Sequence, residues 1–194
     1  DDTLLQPRDA QVLKRAAMHH TRGPGGEWEQ AQWGLVLGGE GGMTSTLDDM
    51  LRWQAYLAHP TPEMAELLAR MAVPAPFSNG TPSMYALGFT VTRYRGLHNV
   101  GHGGGVAGGR SESLRFPDQK AGVVILGNRD DIAPFSLARR VADVVLADQV
   151  APLPDPAGLR ALAAAAGMYR QEDGDEVFEI IDEGGQPRFT SQGG

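Results

Sequence analysis

The chain has 194 residues, 41% of them hydrophobic and 21% charged, with 24 acidic against 17 basic side chains and no cysteine. That is a globular composition, with enough apolar material for one ordinary domain or one large piece of a bigger protein. A net charge of −7 argues against a nucleic-acid or anionic-membrane partner, and the lack of cysteine excludes disulfides, thiolate metal sites and a cysteine nucleophile.

No apolar run approaches the ~20 residues that a membrane span needs. The opening stretch, "DDTLLQPRD", has no signal-peptide pattern. It also lacks an initiator methionine, so the chain is expected to be a processed or excised piece. Residues 1–33 read as irregular, with turn chemistry in "RGPGGEWE". "WGLVLGGEGGM" is a short apolar run ended by glycines. In "TSTLDDMLRWQAYLAHP" a helix is clear, capped by Ser45 or Thr46, with Asp48 or Asp49 at the reciprocal capping-box position. Leu47, Met50, Leu51, Gln54 and Leu57 fall near one face of it. Pro60 and Pro62 end this helix and start the next, "EMAELLARMA". A proline-rich loop, "VPAPFSNGTPS", follows.

From Met84 the apolar period falls to about two. "YALGFTVTRYR", "LHNVGHGG", "SESLRFP" and "AGVVILGN" are four strand-like runs, separated by "RG", "GVAGGR" and "PDQK". Runs this close together predict an antiparallel meander. "APFSLARRVADVVLADQV" is then an amphipathic helix opened by Pro134, with Leu137, Val141, Val144 and Val145 expected on its buried face. "APLPDPAG" reads as a linker. A short Ala-rich helix comes next, and "GMYRQEDGDEVFEIIDEGGQPRF" gives strands joined by a turn at Glu183–Gln186. These strands are too few to predict a sheet of their own.

"VGHGGGVAGGRSESLRF", residues 100–116, concentrates the chemistry. Glycine weakens a strand, yet five follow His102 within seven residues. One reading is an imidazole on an edge strand, followed by backbone that a ligand can approach. The plain alternative is a loosely packed hairpin with a surface histidine. The formal G-x-G-x-x-G from Gly103 to Gly108 is followed by a strand pattern, not the helix a dinucleotide site needs. His98 and His102 lie four apart in an extended run, about 13 Å at ~3.3 Å per residue, too far to share a metal. Adjacent His19 and His20 point oppositely in extended chain. "GRSES" around Ser111 lacks the second glycine and the following helix of a nucleophile elbow. Asn79-Gly-Thr81 fits a glycosylation sequon, but is read as a turn. No metal and no cofactor are expected.

"GGEGGMTSTLDDMLRWQAYL" followed by "YALGFTV…HNVGHGGGVAGGRSESLRFPDQKAGVVILGNRD" resembles the serine β-lactamase/penicillin-binding-protein family. The likeness is greatest to its class C-like branch of bacterial D-aminopeptidases, D-alanyl-D-alanine carboxypeptidases and esterases, over about residues 1–150. It implies an α+β fold, an α/β sandwich with an antiparallel sheet flanked by helices, followed by the start of a small β domain. The expected division is 1–150 for the C-terminal half of the catalytic domain, 151–158 for a Pro-rich linker and 159–194 for the opening of a truncated β-rich domain. The resemblance further implies a nucleophilic serine in S-x-x-K, a tyrosine in Y-x-N and a third motif, matched here by His102-Gly103-Gly104. Gly105 N–H would be one oxyanion donor, and Gly103, Gly104 and Gly105 would let substrate lie along the strand.

The first two motifs are absent. Basic side chains are fifteen arginines and two lysines, Lys14 and Lys120; three residues before them stand Gln11 and Pro117. Two residues before the asparagines, Asn79, Asn99 and Asn128, stand Phe77, Leu97 and Leu126. The nucleophile is therefore expected upstream or on a companion chain, and 1–194 alone is expected to be inactive. The substrate stays open among a β-lactam, a D-amino-acid peptide and an ester, although histidine in place of lysine shifts weight toward peptidase or esterase. The rival reading is a non-catalytic binding module that keeps the sheet.

Overall fold

A computed structural model describes residues 2–6, 11–32, 38–153, 155–170, 177–184 and 186–191. The apolar part of "WGLVLGGEGGM", residues 33–37, and the terminal "QGG" lie outside the described residues. The chain divides into two compact units, Asp1–Ala75 with Met84–Val150, and Pro76–Ser83 with Ala151–Gly194.

The first unit is built on a four-stranded antiparallel meander of β5 (Thr90–Tyr94), β6 (Leu97–Val106), β7 (Gly109–Phe116) and β8 (Ala121–Gly127). Its turns follow from local chemistry. Arg95 (φ 46°) and Gly96 (φ 85°) both take positive φ, as a type I′ hairpin turn requires. Lys120 closes the β7–β8 connection in the left-handed region. The turn expected in "GVAGGR" is narrower than that separator: pairing runs unbroken from Val100↔Arg115 to Val106↔Gly109, and only Ala107 and Gly108 turn. "YALGF" also differs from its reading as strand. Gly88 (φ 73°) folds the chain back, so that Ala86 N–H bonds Phe89 O and Val91 N–H bonds Met84 O, and β5 begins only at Thr90.

Helix α3 (Pro134–Val145) covers one face of the sheet. The core there is Leu114, Phe116, Val123, Ala138, Ala142 and Leu146. The expected inward face of α3 is thus partly wrong: Leu137, Val144 and Val145 are exposed, and Val141 is only half-buried. The two alanines allow the helix backbone to sit close to the sheet, which rotates the valines outward. On the opposite face α1 (Leu47–Ala58) packs on β8. Thr46 is its N-cap, accepting from Asp49 N–H at 3.2 Å. The reciprocal capping-box bond is not made, because Asp49 Oδ2 accepts from Asp2 N–H and from Thr3 Oγ1 instead. Gln54 and Leu57 are buried, whereas Leu47 and Leu51 remain about half exposed. Helix α2 (Pro62–Met71) starts at its proline with Thr61 as cap.

Residues before α1 are less irregular than their sequence suggests. β1 (Leu4–Leu5) pairs with β4 (Met43–Thr44), and β2 (His20–Arg22) pairs with β3 (Trp28–Gln30). The β2–β3 hairpin is pinned to the meander. His20 N–H bonds Asn128 O at 2.9 Å and Asn128 Nδ2 bonds Met18 O, while Ala31 N–H bonds His19 O and extends the hairpin itself. Trp28 sits between the guanidinium groups of Arg22 and Arg129, 4.0 and 4.3 Å from its ring centre.

In the second unit, α4 (Pro156–Ala164) is capped by Asp155 and so begins inside the segment read as linker. β9 (Gly167–Arg170), β10 (Val177–Asp182) and β11 (Pro187–Ser191) form an antiparallel sheet in the order β11-β10-β9. The expectation of too few strands for a sheet is therefore overturned; three strands close it, and α4 packs on β10 and β11. Glu183 N–H bonds Gln186 O across the expected turn. Asn79-Gly80 is a turn within this unit, with Gly80 at φ 84° and Asn79 Oδ1 accepting from Thr81 N–H.

Gly108 carries the docking of the β2–β3 hairpin. It has φ 69°, and a Cβ there would stand 2.6 Å from both Ala31 Cβ and His20 N. Gly108→Ala should cost about 2–4 kcal/mol, adding backbone overpacking to left-handed strain. Gly26→Ala, at φ 86° with open space around it, should cost only about 1–2 kcal/mol. Urea midpoints of the two variants measure the difference, and equal losses would show that the hairpin does not rest on Gly108.

Candidate functional site

The strands of the meander are of unequal length. β5 accompanies β6 only from Tyr94↔Leu97 to Thr90↔Gly101, while β7 continues to Val106. From His102 onward β6 has no partner strand on its β5 side among the described residues. The two-residue turns fix which groups face that open edge. Leu97 flanks the Arg95–Gly96 turn, so its N–H and C=O point at β5; alternation carries the same direction to Asn99, Gly101, Gly103 and Gly105. Thr90 Oγ1 donating to Gly101 O at 3.0 Å agrees with it. Gly103 and Gly105 therefore turn their backbone polar groups outward, beyond the end of β5.

His102 stands at the start of this edge and is exposed. Its Nδ1 lies 2.6 Å from Gly103 O, so the ring curls along the edge and occupies that carbonyl. The next outward pair with both groups presented by backbone alone is Gly105. Above the glycines the Cβ directions are filled from β7. A Cβ on Gly103 would meet Glu112 Oε2 at 3.0 Å, one on Gly104 would run into the Ser111 hydroxyl, and one on Gly105 would lie 3.7 Å from Arg110 Nη1. Gly103 and Gly104 are thus roofed by their cross-strand neighbours, while Arg110 leaves ordinary contact distance at Gly105. A ligand would reach this strand sideways, through backbone, and not over its face. Ser111 belongs to a straight strand opposite Gly104, with no elbow around it.

Two supporting side chains gave no sequence signal. Gln54 of α1 donates to Ser113 Oγ at 2.8 Å, and Ser113 is the cross-strand partner of His102. Glu112 is 5% exposed, directly opposite Gly103. Burial pushes its carboxyl above the usual range, opposed by the charges of Arg139 and His102. The sequence predicts Tyr85 as the first residue of a strand; instead the 86–89 turn brings its Oη to 2.8 Å from His102 Nε2. The signal that could have found it is Gly88, which forbids a continuous strand through "YALGF". His98 pairs with Arg93 far along β6, and no group of three or more potential metal ligands occurs among the described residues.

Beside the glycine edge lies a groove of about 2000 Å³, bounded by Thr3–Leu4, Leu13–His19, Gly39–Leu47, Gly103–Ala107, Gly109–Ser111 and Leu126–Asn128. Small-molecule pockets measure roughly 300–1000 Å³, so this open groove is larger than such a pocket. His19 borders it, held below the usual histidine range by burial first and by neighbouring His20 second, against a hydrogen bond to the Ala107 backbone.

The β-lactamase family model matches residues 1–147, which include every element of this edge. The chain belongs to the β-lactamase family. Its curated relatives include the D-aminopeptidase of Gluconobacter oxydans, 31% identical over 104 residues, or 54% of this chain and 20% of that protein. The D-aminopeptidase of Cereibacter sphaeroides is 28% identical over 97 residues, or 50% of this chain and 19% of that one. The matched region spans about a fifth of the length of these relatives. Among solved structures, the octameric penicillin-binding protein homologue from Pyrococcus abyssi superposes with a TM-score of 0.66 at 18% identity, covering 100% of this chain and 45% of that one. This chain therefore has the mixed α+β, antiparallel fold of β-lactamase-like proteins. No helix among the described residues is long and apolar enough to cross a membrane.

Glu112 makes stability pH-dependent in a defined sense. A carboxyl whose proton affinity is higher in the folded state leaves the unfolded chain with fewer protons. Stability then falls as pH rises above the ordinary carboxylate value of about 4.3. Glu112→Gln should raise the urea midpoint at pH 7, and the gain should shrink to nothing as acid protonates the native carboxyl. A lower midpoint at pH 7 would mean that Arg139 and His102 stabilise the ionised form by more than burial penalises it.

Proposed function

We propose that residues 1–150 form one wall of a serine-hydrolase active site whose nucleophile and base are carried by polypeptide outside these 194 residues, upstream or on a companion chain. The observation that carries this reading is the open glycine edge of β6, with His102 at its start and outward N–H groups beyond it, in a chain without any S-x-x-K or Y-x-N. A substrate acyl group pairing with this edge as an added strand would meet Gly105 N–H, placed to donate to a developing oxyanion. His102 lines the same approach. Attack by an external serine would form an acyl-enzyme that water then resolves. The wide groove beside the edge is where the nucleophile-bearing element would seat.

The D-aminopeptidase names of the curated relatives favour a short peptide with a D-residue as substrate. Residues 151–158 are proposed as a link to the small β unit at 159–194, which would be the beginning of the domain that follows the catalytic one. The binding-module alternative draws support from the missing nucleophile alone, and it predicts ligand binding without turnover in any longer form of the protein.

Purified 1–194 should hydrolyse neither p-nitrophenyl acetate nor a D-alanine p-nitroanilide above buffer. The complete protein, with its S-x-x-K half, should turn over one of them. There, Gly105→Val is the informative variant, because nothing crowds a Cβ at that position and a β-branched residue suits a strand. Its methyl groups would flank the Gly105 N–H, so kcat/KM should fall by roughly a hundred-fold or more with the thermal midpoint unchanged. Near wild-type turnover by Gly105→Val would remove the glycine edge from the active site.

A further inference from the structure

Tyr85 and His102 form a hydrogen-bonded pair. Tyr85 Oη lies 2.8 Å from His102 Nε2, and the rings meet edge to face at 5.8 Å and 73°. The other ring nitrogen, Nδ1, lies 2.6 Å from Gly103 O. A backbone carbonyl only accepts, so Nδ1 must carry a proton. In the neutral imidazole Nε2 is then the acceptor, and the Tyr85 hydroxyl donates to it. A free neutral histidine side chain favours the opposite tautomer, so two contacts act together to reverse its preference.

The chain builds this pair on purpose-made backbone. Gly88 at φ 73° closes the turn from Ala86 to Phe89, and Tyr85 bridges Thr90 at the end of β5. Leu87 N–H bonds Met71 O at 3.1 Å, which ties the turn to the end of α2. Tyr85 is thereby held where β5 stops and His102 begins the open edge.

We infer that Tyr85 is a positioning residue that locks His102 as the Nδ1–H tautomer. In that tautomer both ring nitrogens of the neutral imidazole are committed, Nδ1–H to Gly103 O and Nε2 to the Tyr85 hydroxyl, so His102 acts on a ligand through the placement of its ring and not as a proton donor. Its place beside a substrate rests on the function proposed above, but the tautomer does not.

Long-range ¹H–¹⁵N correlation spectra of the 194-residue chain read the tautomer directly. At about pH 8, His102 should be mainly Nδ1–H in the wild-type protein. In Tyr85→Phe the majority should invert to Nε2–H, with the backbone amide positions of β6 and β7 retained. A wild-type spectrum dominated by Nε2–H overturns the inference whether or not the variant folds. So does a folded Tyr85→Phe that keeps Nδ1–H at the wild-type level, since Gly103 O would then suffice. Failure of the hydrolase reading appears separately, as absence of turnover in the complete protein with the His102 tautomer unchanged.

Discussion

β6 is ten residues long and β5 only five, so the two strands can share hydrogen bonds no further than Gly101. Backbone N–H and C=O groups demand partners, and an unpaired strand edge is a template for another chain. β7 supports the same residues from the other side, which keeps the unpaired stretch straight and extended. The open edge is this difference in strand length. A longer β5 would cover Gly103 and Gly105, and a shorter β7 would let the glycine-rich stretch collapse into a loop. What ends β5 is Gly88, whose left-handed backbone turns the chain away before Thr90 and in doing so delivers Tyr85 to the corner.

The glycines serve two separate purposes. Gly108 and Gly109 leave room for the β2–β3 hairpin: a Cβ on Gly109 would stand 3.0 Å from the His19 ring. Gly103 and Gly104 leave room for Glu112 and Ser111 of the neighbouring strand. Close packing of that kind fixes the backbone although the glycines contribute no side chains of their own. It also explains why a carboxylate is tolerated in a buried position: Glu112 fills space that a conventional side chain on β6 would otherwise occupy, at an electrostatic cost that Arg139 and His102 only partly offset.

Much of this architecture is written locally. Thr46 and Pro62 mark helix starts, Arg95-Gly96 marks a hairpin, and period-two runs mark the four strands. The inward face of α3 was not legible, because valines outrank alanines in any hydrophobic pattern while close approach to the sheet selects Ala138 and Ala142. The short strands β1 to β4 contain two or three residues each, too few to display a period, and they exist through long-range bonds such as His20 to Asn128. His102-Gly103-Gly104 stood out as a motif. The open edge beyond it did not, since it depends on where a different strand ends, and neither did Tyr85, whose role comes from a turn three residues away.

Amide hydrogen exchange along β6 tests the open edge most directly. Bonding to β5 should protect Val91's partner strand through Gly101, and bonding to β7 should protect His102, Gly104 and Val106. Gly103 and Gly105 should exchange rapidly between those protected neighbours, giving an alternation that begins immediately after Gly101. Uniform protection of residues 101–106 in the 194-residue chain would contradict the account, because it would mean that the glycine edge is already paired.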